Sequence, residues 1–226
     1  RTWILAATVA LIATQAMALS GVIDLGKTFY LAPSFGWTGA ILGGLAFGIG
    51  MALVGTCGFG ALVRLGGGSL RSLVVLLVLG LSALAAQRGL IAQARVEVVD
   101  NLAADLSFAG DQSLGSLVSA LLGFDARLLV ALLVAGLLLL WIFSSANYRR
   151  RVANIVTGSV IGLGIAFGWL ATTWASTRAF EPVQIEAGSF VVPVGETLIQ
   201  FIAFTGVLPD YGVGLVIGVG LGAALV

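Results

Sequence analysis

Phe47 to Arg64, reading FGIGMALVGTCGFGALVR, is the stretch whose residue types and spacing suit chemistry, and it holds the single cysteine, Cys57. Gly55, Gly58 and Gly60 surround that thiol, and glycine permits turns that a residue with a β-carbon resists. A helix interrupted over Gly55 to Gly60 would present backbone N–H groups and a thiol together. Amides exposed in this way suit an anion, as helix N-termini do. The thiol adds a polarisable contact and a weak S–H donor, which favours an anion presenting sulfur or selenium over a hard oxyanion. Thr56 could donate to a substrate oxygen or bond back to its own helix. Arg64, seven residues on from Cys57, could draw anions to a cytoplasmic mouth. The same residues also read as packing glycines, a small buried cysteine and an arginine that only sets topology. Both readings stand open on the residues alone.

A second candidate is Glu196, inside the apolar run Ser189 to Leu208 that Pro193, Gly195 and Glu196 interrupt. A carboxylate within a membrane is by default a functional group, here for proton coupling. Pro193 and Gly195 equally allow it to sit at an interface in water. The chain has no histidine, so the usual general base is missing, as are a disulfide framework and most zinc sites. Neither a nucleotide-binding loop nor a paired-carboxylate or Ser-His-Asp set is present, so the sequence implies no cofactor and no metal. Basic residues interleaved with aromatics are also missing, so nucleic acid is not an expected partner.

These residues must be positioned by apolar helices. A chain of 226 residues that is 59% hydrophobic and 9% charged, with mean hydropathy +1.12, carries too little charge for a soluble domain. It reads as an integral membrane protein, with the lipid bilayer as its surroundings. Thirty-two glycines against four prolines point to helices that approach one another closely.

Five spans are expected, over Trp3–Ser20, Trp37–Val54, Ser72–Gln87, Leu128–Phe143 and Val152–Trp174, followed by the broken run 189–208 and a last run from Tyr211. Ala16-Met17-Ala18 imitates a signal cleavage site, but cleavage there would remove a span. Trp37, Trp141, Trp169 and Trp174 are placed for membrane interfaces. Residues 89–126, with Glu97, Asp100, Asp105, Asp111 and Asp125, read as an extracytoplasmic surface segment. The arginines Arg149 to Arg151, with Arg64 and Arg71, read as cytoplasmic, which also places the N-terminus inside. Pro209-Asp210 reads as a turn. The expected fold is all-α: one polytopic transmembrane helical bundle over 1–226, with short or re-entrant helices around the Gly-Cys-Gly segment. Thr38–Gly43 and Thr157–Gly162 share a pattern, which repeated halves or chance would both produce.

The run from Phe47 to Gly60, continuing through Arg64-Leu65-Gly66 to Ser72-Leu73-Val74, resembles the first signature of the YeeE/YedE family of thiosulfate and related sulfur-compound transporters. Val194-Gly195-Glu196-Thr197-Leu198, with Gly206 and Gly212-Val213-Gly214, is similar to that family's middle region. The resemblance implies a bacterial inner-membrane permease, not an enzyme, in which cysteines pass thiosulfate by hydrogen bonding along a narrow path. Cys57 alone can inherit that role, with Gly55, Thr56, Gly58, Gly60 and Arg64 along the pathway. Family members carry a second cysteine-bearing half, so this chain is expected to be part of a longer protein, completed by that half or served by a small sulfur-carrier protein. The alternatives are a selenium-species transporter and a sulfur-transfer enzyme forming a persulfide on Cys57.

Overall fold

A computed structural model describes residues 1–179, 183–204 and 210–225. Among them are eleven α-helices: α1 (Thr2–Leu19), α2 (Trp37–Val54), α3 (Gly58–Gly66), α4 (Leu70–Arg88), α5 (Leu90–Val98), α6 (Leu114–Leu122), α7 (Arg127–Phe143), α8 (Ala146–Arg149), α9 (Val152–Ser176), α10 (Val191–Ile202) and α11 (Tyr211–Ala224). The all-α expectation is met, with only two-residue extended pieces at Ser34–Phe35 and Ala104–Asp105. Gly206 and Pro209, used in the sequence reading, lie outside the described residues.

Helix ends follow local chemistry. Gly55 stops α2 by adopting a left-handed conformation (φ 74°), and its N–H donates to Met51 O at 2.8 Å. Gly123 closes α6 the same way (φ 76°), and Ser113 opens it by accepting the Ser116 N–H at 3.1 Å. Four helical stretches are long and apolar enough to cross a membrane: Thr2–Leu19, Trp37–Gly66 counted across its break, Leu70–Arg88 and Val152–Ser176. The protein is therefore a multi-pass membrane protein. The Leu128–Phe143 run forms α7, a 17-residue helix of about 25 Å, somewhat shorter than the four.

The chain divides into two compact units, residues 1–35 with 105–187, and residues 36–104 with 188–226. In the first, α1 and α9 run parallel in close contact. A Cβ added at Gly158 would fall 3.0 Å from Thr2 O, and one at Gly162 would fall 2.5 Å from Ala6 O and 2.7 Å from Val9 Cβ. Glycines here let two backbones touch, and lipid tails provide no hydrophobic drive to replace that packing. Leu5, Ile142 and Tyr148 fill the space toward α7 and α8. Beyond the spans, burial opposes ionisation of Asp111, but hydrogen bonds from Ser113 and Ser116 and the Arg127 charge outweigh it and hold the carboxyl below its usual range.

In the second unit α4 is the central post. Ala61 and Leu62 of α3, Leu76 of α4, Val194 of α10 and Val216 of α11 form its core. A Cβ at Gly195 would lie 2.8 Å from both Gly80 O and Leu84 Cγ, so α10 rests its backbone on α4.

The close seam between α1 and α9 predicts opposite outcomes for two neighbouring glycines. Gly162→Val should destabilise the protein by about 1–3 kcal/mol through overpacking, whereas Gly164→Val, with open space at its Cβ, should be tolerated. Thermal unfolding in detergent reads this directly, and equal midpoints for the two variants would show that the seam is not formed.

Candidate functional site

The site is built where two helices begin. Cys57, in extended backbone, is the N-cap of α3, and its Sγ accepts the Gly60 N–H at 3.4 Å. A thiol in this position uses a sulfur lone pair on the helix and leaves its S–H hydrogen for another acceptor. Cys57 is half-buried. Gly60 is needed for this corner because an added Cβ would collide with Thr56 Oγ1. The Thr56 hydroxyl donates to Cys57 O at 3.3 Å, so it bonds back to its own chain, one of the two roles open to it in the sequence.

Opposite α3 stands the start of α10. The ring centroids of Phe59 and Phe190 are 5.0 Å apart, and a Cβ on Gly58 would lie 3.0 Å from Leu79 and 4.0 Å from Val191. Leu79 is the middle residue of α4. From there α3 runs back along α4, packing Ala61 and Leu62 near Leu76, while α10 runs on, with Gly195 against Gly80 and Leu84 and Glu196 reaching Arg88. The two helices thus start nose to nose halfway along a span-length helix and diverge. Each helix N-terminus carries roughly half a positive charge, so this junction is electropositive without a buried cation. The N–H groups of Gly58 and Val191 have no hydrogen-bond partner among the described residues.

A third helix also begins here, since a Cβ on Gly212 of α11 would fall 2.6 Å from Pro193 of α10. Its N-terminus is different. Asp210 caps it by accepting the Val213 N–H at 2.8 Å, so a carboxylate already compensates that dipole. Phe190 gives α10 no side-chain cap, and Cys57 gives α3 a neutral one. Of these three helix starts, those of α3 and α10 carry no compensating carboxylate.

Arg64 takes a place the sequence did not suggest. Its Nη2 donates to Gly55 O at 3.3 Å, tying the end of α2 to the body of α3. It braces the break in the helix, and its charge stands on the same corner as Cys57. Glu196 lies on α10 with its side chain 17% exposed, and its Oε1 accepts from Arg88 Nη2 at 3.0 Å. Sequence reasoning did not connect these two because the partner sits at the far end of another helix. Gly55, Thr56, Cys57, Gly58, Gly60 and Arg64 are together at one corner, and Glu196 lies one turn beyond the first turn of α10. No group of three or more metal-ligating side chains occurs among the described residues.

A family model described as "Sulphur transport" matches residues 1–226. The chain belongs to the sulphur-transport family. This bears out the YeeE/YedE resemblance carried by the Gly-Cys-Gly stretch. Among the family's curated relatives, the thiosulfate transporter TsuA of Spirochaeta thermophila is 28% identical over 156 residues, covering 58% of this chain and 47% of the relative. TsuA of Escherichia coli is 35% identical over 65 residues, covering 29% of this chain and 18% of the relative. The chain thus spans about half the length, or less, of the curated relatives it matches.

The left-handed turn at Gly55 separates two otherwise similar substitutions. Gly55→Ala should cost about 1–2 kcal/mol, because a β-carbon resists that backbone. Gly50→Ala, within α2 and facing open space, should be neutral or stabilising by up to about 1 kcal/mol. Unfolding midpoints moving in the same direction for both would contradict the break.

Proposed function

We propose that this chain forms part of a multi-pass transporter of the bacterial inner membrane that takes up thiosulfate or a closely related small sulfur-containing anion, with Cys57 as a hydrogen-bonding waypoint. The observation that carries this reading is the meeting of two uncompensated helix N-termini, α3 and α10, with the Cys57 thiol on the rim of one of them. A dianion entering the bilayer loses its water, and fixed N–H dipoles replace part of that solvation. The soft end of thiosulfate is its terminal sulfur, and the S–H group of Cys57 is a matching donor. The family description and the printed names of the relatives agree with this chemistry.

In this reading Gly55, Gly58 and Gly60 shape the corner, Thr56 and Arg64 hold it, and Glu196 is the candidate for coupling, with its charge balanced by Arg88 when no proton is bound. The N-terminus lies on the cytoplasmic side, where Arg1 and Arg149 to Arg151 follow the positive-inside rule. The segment 89–126 lies on the opposite face. A second half, of the kind the longer relatives have room for, completes the path, and a small sulfur-carrier protein is the expected recipient of the cargo's sulfur.

Labelled thiosulfate uptake, in cells lacking their own sulfate and thiosulfate importers, tests the reading with the complete protein. A hydrogen bond to a charged group contributes about 1.5–3 kcal/mol, so Cys57→Ala should lower uptake by about ten- to a hundredfold with unchanged protein in the membrane. Cys57→Ser should keep a donor but narrow the preference for thiosulfate over sulfate. Undiminished uptake by Cys57→Ala would sink the proposed mechanism.

A further inference from the structure

Helix α10 carries a buried polar group that the Cys57 corner does not use. Gln200 is only 9% exposed, on the inward face that also holds Pro193, Val194, Gly195 and Thr197. Its Oε1 is buried and has no hydrogen-bond partner. Buried carbonyl oxygens are almost always paired, so this one calls for a donor.

The neighbouring hydroxyl is not that donor, since Thr197 Oγ1 donates to Pro193 O at 2.7 Å. Among the described residues, the charged and titratable groups on the helices packed against α10 are Arg71 and Arg88 of α4, with Asp210 and Tyr211 at the start of α11. Arg71 lies at the opposite end of α4 from Arg88. Asp210 is an acceptor, engaged by the Val213 N–H. Tyr211 stands where Gly212 meets Pro193, two turns before Gln200 along α10. Arg88 is given to Glu196, whose Oε1 accepts from its Nη2 at 3.0 Å.

The remaining group is Glu196 itself, one turn before Gln200 on the same helix. Residues at this spacing are neighbours, about 5–6 Å apart between β-carbons, and helical side chains lean toward the N-terminus. The Gln200 side chain therefore leans over the turn that carries Glu196. An ionised carboxylate only accepts, and sets its negative oxygens against the Gln200 carbonyl, whereas a protonated one has an O–H to give. The two neighbours of Glu196 thus favour opposite charge states. Largely exposed Arg88 pairs with the carboxylate, and buried Gln200 fits the acid.

We propose that Gln200 is a positioning residue for a proton on Glu196: its Oε1 accepts the carboxyl O–H and so sets the pH at which this side chain takes a proton from water. The carboxylate becomes a neutral acid, with the proton on the oxygen that Arg88 does not hold. The inference rests on the transporter reading for its consequence, that an entering anion is accompanied by a proton on α10.

Infrared spectroscopy of the complete protein in proteoliposomes tests the pair without any transport. The carboxylic acid C=O band that is absent from Glu196→Gln reports the protonated side chain. Gln200→Leu should lose this band at a pH about one unit lower than wild type, a tenfold weaker hold on the proton. The band should also stand at higher frequency in that variant, because the acid no longer donates to an acceptor. Should Gln200→Leu fail to fold, Gln200→Met, unbranched and with only a weak acceptor, should behave alike. Labelled thiosulfate uptake under an imposed inward proton gradient reads the consequence: the gradient should stimulate wild type, and its effect should move to lower pH in Gln200→Leu. The same pH and frequency in wild type and Gln200→Leu would overturn the proposal. A shifted band in a protein that takes up no thiosulfate would leave the pair standing and sink the transporter reading instead.

Discussion

A helix that starts inside a membrane leaves its first N–H groups without partners, and the second unit starts two of them at one place. Water would satisfy those groups at a protein surface, but hydrocarbon cannot. The structure reduces the demand in small ways: Cys57 Sγ takes the Gly60 N–H, and Pro193 in the first turn of α10 has no N–H at all. What remains is a pair of positive helix ends that an anion stabilises better than any side chain present. A carboxylate cap would have silenced the junction, as Asp210 does for α11.

Keeping two helix ends together at the middle of α4 requires tight backbone contact, which glycine supplies at Gly80 and Gly195, while Gly58 leaves room for the Leu79 side chain. Larger residues would push α10 away from α4 and open the junction. The Arg88–Glu196 pair works on the same seam. With Arg88 largely exposed, the pair adds little to stability, but it holds a carboxylate on the helix whose N-terminus forms half of the proposed site.

Much of this was legible in the sequence. The long spans follow from uninterrupted apolar runs, and α2 and α9 begin at the expected residues because a tryptophan or an arginine marks each start. The break at Gly55 was readable because three glycines around one cysteine disfavour a continuous helix. The partnership of α3 with α10 was not readable, since Phe59 and Phe190 are apolar residues of ordinary type, brought together only by packing on α4. Arg64 and Glu196 were seen as isolated charges for the same reason. Their partners are a backbone carbonyl and an arginine at the end of another helix, and nothing local in the chain encodes either contact. The broken run at 189–208 was recognised as irregular, but the start of α10 at Val191, facing α3, depends on the shape of its neighbours.

The position of the bound anion tests the account most directly. Selenosulfate replaces the terminal sulfur of thiosulfate with selenium, whose anomalous scattering locates that atom in a structure of the complete, transport-competent protein. The account predicts a selenium peak at the junction of α3 and α10, within hydrogen-bonding distance of Cys57 Sγ. A peak elsewhere along the protein, with that junction empty, would contradict it.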